Sequence, residues 1–179
     1  TTEIYTLSLH DALPIYDLEY HVSTSYRLRA GFQSTTHLFT PSAIVEKDSQ
    51  TLLDYKQKTE YNSLESGVYL ENHFNINNRF QANAGVRLSH FIANGKHYLS
   101  PEPRLSVNYL IEEGLSVKTA YAEMNQYIHL LSNTGIGLPT DLWVPSTDRV
   151  KPQNSRQISG GLAKDMISKN LTVTLEGYY

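Results

Sequence analysis

The sequence predicts an all-β fold, an antiparallel up-and-down meander of about seven long strands. Three observations predict it. Side chains alternate between apolar and polar with a period of two over stretch after stretch, as strands with one apolar face do. The charged residues inside the clearest stretches all fall on one parity. The connecting segments are alternately short and longer, as the two rims of a meander would be.

Thr1 to Ile15, reading TTEIYTLSLHDALPI, is set aside first, because it looks like the conceptual translation of a sequencing adapter. Residues 16–179 are then the natural part, and the native sequence upstream is expected to be missing.

From Tyr20 the pattern is plain. Tyr20, Val22, Thr24, Tyr26, Leu28, Ala30 and Phe32 oppose His21, Ser23, Ser25, Arg27, Arg29, Gly31 and Gln33, which predicts one strand across residues 20–33. Residues 35–60 lose the alternation and gather Ser, Thr, Asp, Lys and Gln around Pro41, a solvated loop. A second run sets Leu64, Val68, Leu70 and Phe74 against Glu65, Tyr69, Glu71 and His73, and a turn follows at 75–79. The third opposes Phe80, Ala82, Ala84, Val86 and Leu88 to Gln81, Asn83, Gly85, Arg87 and Ser89, then reaches Asn94-Gly95, a strong hairpin dipeptide within an intermediate connection at 93–99.

The fourth run sets Leu105, Val107 and Tyr109 against Glu102, Arg104, Ser106 and Asn108, with Pro101 and Pro103 expected at the strand's start. After Glu112-Glu113-Gly114, the fifth opposes Leu115, Val117, Thr119 and Tyr121 to Ser116, Lys118, Ala120 and Ala122. Residues 124–156 read as a long ordered loop, with Trp143 between Pro139 and Pro145. A weaker, Gly-rich sixth run covers 157–163, a turn lies at 165–170, and the seventh opposes Leu171, Val173 and Leu175 to Thr172, Thr174 and Glu176.

Composition narrows the class. With 13 Tyr, 5 Phe, 1 Trp and no Cys, and a mean hydropathy of −0.40, the chain suits a soluble β protein or a membrane barrel of half-apolar strands. No apolar run approaches the ~20 residues of a membrane-spanning helix, so a membrane role would fall to strands. A net charge of −3 argues against nucleic acid as a partner. Without Cys there is no disulfide framework or thiolate metal site.

Charge placement and connection length together favour the barrel. Arg27, Arg29, Glu65, Glu71, Arg87, Glu102, Arg104, Lys118 and Glu176 share the polar parity. An Arg or Lys facing mid-bilayer lipid costs roughly 2–4 kcal/mol, which explains why the other parity excludes them. Runs of about ten residues fit the ~9–11 of a tilted transmembrane strand. The fold class is therefore a fragment of a transmembrane β-barrel.

Gly85-Val86-Arg87-Leu88-Ser89, Pro101-Glu102-Pro103-Arg104-Leu105-Ser106, Ala120-Tyr121, Gln126-Tyr127-Ile128-His129-Leu130-Leu131 and Pro139-Thr140-Asp141-Leu142-Trp143-Val144-Pro145 carry a resemblance. In order and spacing they resemble the barrel of TonB-dependent outer-membrane receptors, over nearly everything after Tyr16. The resemblance implies a 22-stranded barrel closed by a plug domain, importing a scarce small-molecule nutrient such as a siderophore, vitamin or glycan. It also implies location in the Gram-negative outer membrane, with lipid, the plug domain of the same full-length chain and the TonB complex as partners. The chain departs from that pattern in showing no plug, no TonB box and only about seven strands.

Candidate sites divide in two. Arg27, Arg29, Glu65, Glu71, Arg87, Glu102, Arg104 and Lys118 are expected to face the lumen, most simply as a salt-bridge lattice. Tyr127, His129, Asp141, Trp143 and Asp148 are candidate ligand contacts on an extracellular loop, since an aromatic with nearby acceptors suits a sugar or chelate. The alternative for Trp143 is that it packs the loop between its prolines. No His pair has the close spacing of a metal motif, and no metal or other cofactor is expected. Neither a nucleophile elbow nor a phosphate loop supports an enzyme, including a barrel enzyme. A soluble β-sandwich binding module remains the rival, and it predicts solubility without detergent.

Overall fold

The structure, a computed structural model, describes residues 10–12, 14–39, 61–133, 140–166 and 170–179. Among these residues run eleven strands, β1 (His10–Ala12), β2 (Ile15–Ser23), β3 (Tyr26–Phe39), β4 (Tyr61–Asn77), β5 (Phe80–Ala93), β6 (Lys96–Glu112), β7 (Leu115–Gln126), β8 (Ile128–Asn133), β9 (Thr140–Pro145), β10 (Gln153–Met166) and β11 (Leu171–Tyr178). Nine form one antiparallel sheet in the order β1-β3-β4-β5-β6-β7-β10-β11, with β2 also paired to β3. β8 and β9 make a separate two-stranded hairpin.

The expected strand over residues 20–33 is two strands. A hairpin closes at Thr24-Ser25, yet the alternation runs straight through it. The register explains why. A two-residue turn normally reverses side-chain parity, but the pairing slips by one residue between His21 and Ser23, and even-numbered residues again oppose even-numbered ones from Tyr20↔Leu28 onward. The turns at Asn78-Arg79 and Glu113-Gly114 carry the same one-residue irregularity, between Asn75 and Asn77 and between Leu110 and Glu112.

The opposite rim behaves differently. Asn94 (φ 49°) and Gly95 (φ 73°) form a tight turn of the kind two positive φ angles allow, with Ala93↔Lys96 closing it and no slip. The intermediate connection expected at 93–99 is therefore only two residues long, and parity flips across it.

Pro101 and Pro103 lie inside β6, not at its start. Counting from the closing pair Ala93↔Lys96 puts both opposite β5 at positions that exchange no hydrogen bond with it, paired with Leu88 and Val86. β7 pairs with β6 only from Arg104. The missing N–H groups thus fall where the ladder to β7 has already opened.

β3 continues to Phe39, so residues 35–39 of the expected loop are strand, while 40–60 lie outside the described residues. The expected long loop at 124–156 is also shorter. β7 reaches Gln126, β10 starts at Gln153, and Ile128↔Pro145 through Asn133↔Thr140 zip into the β8–β9 hairpin. Pro145 marks the hairpin's end, and residues 134–139 lie outside the described residues. In the segment set aside as adapter-like, residues 10–12 pair with Thr36–Leu38 and Ile15 opens β2; residues 1–9 and 13 lie outside the described residues.

Burial is inverted relative to a water-soluble sheet. Val68, Leu70, Val86, Leu88 and Leu105 are 40–50% exposed on one face, whereas Ser89 and Glu102 on the other are 1% and 3% exposed. No second sheet covers the apolar face among the described residues, so the β-sandwich alternative is not favoured. Among the described residues, the buried apolar cluster is Phe91, Ala93 and Tyr127 with Tyr98 and Ile128 packed on it, at the rim of the β5–β6 turn.

Candidate functional site

Strand pairing gathers the charged residues onto the polar face, and the face is built so that long side chains lie flat along it. Gly31 shows how: a Cβ there would stand 2.4 Å from Tyr69 Cζ and 2.6 Å from the Tyr16 carbonyl oxygen. The Tyr69 phenol uses that space to donate to Asp17 Oδ1 at 2.9 Å. Arg29 Nε donates to both Asp17 oxygens at 3.0 Å and its guanidinium lies 5.8 Å from the Tyr69 ring centroid.

Around this centre run further pairs, Arg27–Glu19 at 3.3 Å, Arg87–Glu65 at 3.5 Å, Arg29–Glu71 at 4.0 Å, and Lys118 with Glu176. Two members of the expected lattice behave otherwise. Arg104 makes no ion pair among the described residues; it lines a cleft of about 170 Å³ with Arg29, Arg87, Glu71, Tyr69, Gln33 and Val86. Glu102 stands opposite Arg87 in register but turns to uncharged donors instead.

That turn links the wall to the β8–β9 hairpin. Glu102 Oε1 accepts from Ser89 Oγ at 3.0 Å, from the Asn125 N–H at 3.1 Å and from Asn125 Nδ2 at 3.4 Å. The carboxylate thereby occupies the place in the β6–β7 ladder that the prolines leave open. Ser89 has one proton; with that proton on Glu102, the Tyr127 hydroxyl 2.6 Å away donates to Ser89. The Tyr127 ring stacks on Phe91, with centroids 4.9 Å apart and planes 6° from parallel. Ser146 clamps the other end, its N–H and Oγ both donating to the Tyr127 carbonyl at 2.7 and 2.9 Å.

The candidate ligand contacts thus separate. Tyr127 and His129 are buried, at 2% and 6% exposure, and His129 Nε2 bonds Ser146 Oγ at 2.9 Å. Trp143 is 37% exposed and, with Tyr127, His37, Glu65, Asn125, Gln126 and Ile128, lines a cleft of about 300 Å³ between hairpin and wall. Asp148 is exposed in the bend after the hairpin, where Thr147 Oγ1 accepts the N–H groups of Arg149 and Val150, and it does not line the cleft. The side chain of Asp141 lies outside the described residues.

His37, Asn125 and Gln126 line the Trp143 cleft without having stood out in the sequence. Only the pairing of β3 with β4 and the close of β7 bring them there. His90 and His97 were likewise unremarkable seven residues apart, yet the β5–β6 hairpin sets His90 Nε2 3.2 Å from His97 Nδ1. No group of three or more His, Cys, Asp or Glu suited to a metal occurs among the described residues.

The model of the family described as TonB dependent receptor-like, beta-barrel, matches residues 3–179. The chain belongs to that family. Two solved structures of the FrpB iron transporter from Neisseria meningitidis share the fold of this receptor barrel segment. The F5-1 variant aligns with a TM-score of 0.62 and 14% identity over 89% of this chain and 26% of its own. The F3-3 variant aligns with 0.63 and 13% over 95% and 28%. The receptor segment thus spans about a quarter of the length of those transporters. No curated protein matches it. Family membership makes the meander a stretch of receptor-like barrel wall.

Proposed function

We propose that this chain is part of the wall of an outer-membrane receptor that imports a scarce small-molecule nutrient with energy delivered through TonB. The inverted burial is the observation that carries the reading. Exposed Val68, Leu70, Val86, Leu88 and Leu105 meet lipid, and the face holding Arg27, Arg29, Glu65, Glu71, Arg87, Glu102, Arg104 and Lys118 lines the lumen against the plug. The short turns at Thr24-Ser25, Asn78-Arg79 and Glu113-Gly114 then lie on the periplasmic rim, and the β8–β9 hairpin on the extracellular one. Its Trp143 cleft offers an aromatic edge beside Glu65, Asn125 and Gln126, a surface for the polar nutrient entering the lumen. Tyr127 and His129 act by fixing the hairpin in place.

Spin labels at residues 68, 70, 86 and 88 and at 69, 71, 85 and 87, in the chain reconstituted into lipid vesicles, test the assignment. Even positions should relax with dissolved oxygen and odd ones with a water-soluble nickel complex. Uniform exposure to the nickel complex at both sets would refute a lipid-facing wall.

A further inference from the structure

We propose that His90 and His97 form a two-ligand site for a divalent transition metal of the zinc, nickel or copper class at the tip of the β5–β6 hairpin. This site is independent of the transport reading. Its warrant is geometric. Two imidazole nitrogens bound to one tetrahedral zinc, each about 2.0–2.1 Å from it, stand roughly 3.3 Å apart. His90 Nε2 and His97 Nδ1 stand 3.2 Å apart before any ion is considered.

The backbone fixes that separation. His90 pairs with Leu99 and His97 with Ile92, so the two imidazoles are diagonal neighbours on the same face. The ladder from Ala93↔Lys96 down to Phe80↔Tyr109 has no register slip, and Asn94-Gly95 closes it in two residues. The rings lie 18° from parallel with centroids 5.4 Å apart. Neither ring belongs to the buried cluster at Phe91, His97 is exposed and His90 half-buried, and both lie within four residues of the Asn94-Gly95 turn, so water and ions reach them from the rim.

Proton accounting is simple. Without metal, one of the facing nitrogens carries the hydrogen that bridges to the other. With metal, that ring holds its proton on its remote nitrogen, both facing lone pairs go to the ion, and water completes the coordination. No proton is lost in the exchange, and no redox step is involved. Imidazole ligands select zinc, nickel and copper over magnesium and calcium, which require oxygen donors.

The test is calorimetric titration of the full chain, folded in detergent micelles, with zinc chloride. One ion per chain should bind. His90→Gln and His97→Gln should each weaken binding by roughly 100-fold, the advantage of two linked ligands over one, and magnesium chloride should produce no binding heat. In the unsubstituted chain, zinc should shift the nitrogen resonances of His90 Nε2 and His97 Nδ1 above those of the other histidines. Unchanged affinity in the double variant, or zinc shifts confined to His21, His37, His73 or His129, would overturn the site.

Discussion

The middle of the wall and its hairpin-bearing rim are held together by different physics. From β3 to β6, away from the Asn94-Gly95 turn, the sheet has backbone ladders, ion pairs on one face and bare aliphatic side chains on the other, with no buried apolar cluster among the described residues. At the rim, Tyr127, Phe91 and Ala93 bury one another, and Glu102, Ser89 and Ser146 satisfy the polar groups that come with them. The wall takes its stability from whatever covers its apolar face. The rim carries its own, as a small soluble protein does.

Substitutions that act on one region and spare the other break or sharpen this contrast. The largest effect is expected from Tyr127→Ala, which removes the stacked ring and its hydroxyl from a fully packed site at a cost of about 3–5 kcal/mol. Amide exchange at Ser146 should accelerate while mid-wall amides in β4 stay protected; equal acceleration in both would show that rim and wall are one cooperative unit. Next comes Leu70→Arg, which should destabilise the chain in lipid vesicles by roughly 2–4 kcal/mol. Equilibrium unfolding in urea measures it, and Glu71→Gln, one residue away on the other face, should cost much less.

Gly31→Ala comes third, at about 1–3 kcal/mol, because the new methyl meets a backbone oxygen as well as Tyr69. Removing the ring in the Gly31→Ala/Tyr69→Ala double variant should recover only part of that loss in the same unfolding assay. The smallest is Arg27→Ala. Its partner Glu19 is solvated and the pair exposed, so the unfolding midpoint should match the unsubstituted chain within error.

Much of the wall was legible because a strand between two media must alternate, and the alternation names the face of each residue. Val68 and Val86 against Glu71 and Arg87 could be sorted without coordinates. What failed to show was pairing. The Thr24-Ser25 hairpin left no trace, since its one-residue slip hands the same parity from β2 to β3. Pro101 and Pro103 pointed to a strand's beginning, because a sequence does not reveal that the β7 ladder ends at Arg104 and that the Glu102 side chain takes over.

The candidate site suffered more. Tyr127, His129 and Trp143 were found as a group, but which of them faces a cleft depends on the β8–β9 pairing and on Phe91, a contact between residues 36 positions apart. The His90–His97 proximity was hidden for the same reason: cross-strand neighbours obey the register of a hairpin, and metal-motif spacing rules describe helices and short loops.

The slipped residue beside each of the turns at Thr24-Ser25, Asn78-Arg79 and Glu113-Gly114 has a genetic consequence. It works like a spacer that keeps the inside-outside code in phase from one strand to the next. Deleting a single residue there would send every downstream Arg and Glu toward oil and every Val and Leu toward water, much as a lost nucleotide scrambles codons, whereas removing two would leave the message readable. Such rims should therefore vary in length by pairs, a rule written by side-chain geometry before any cargo has a say.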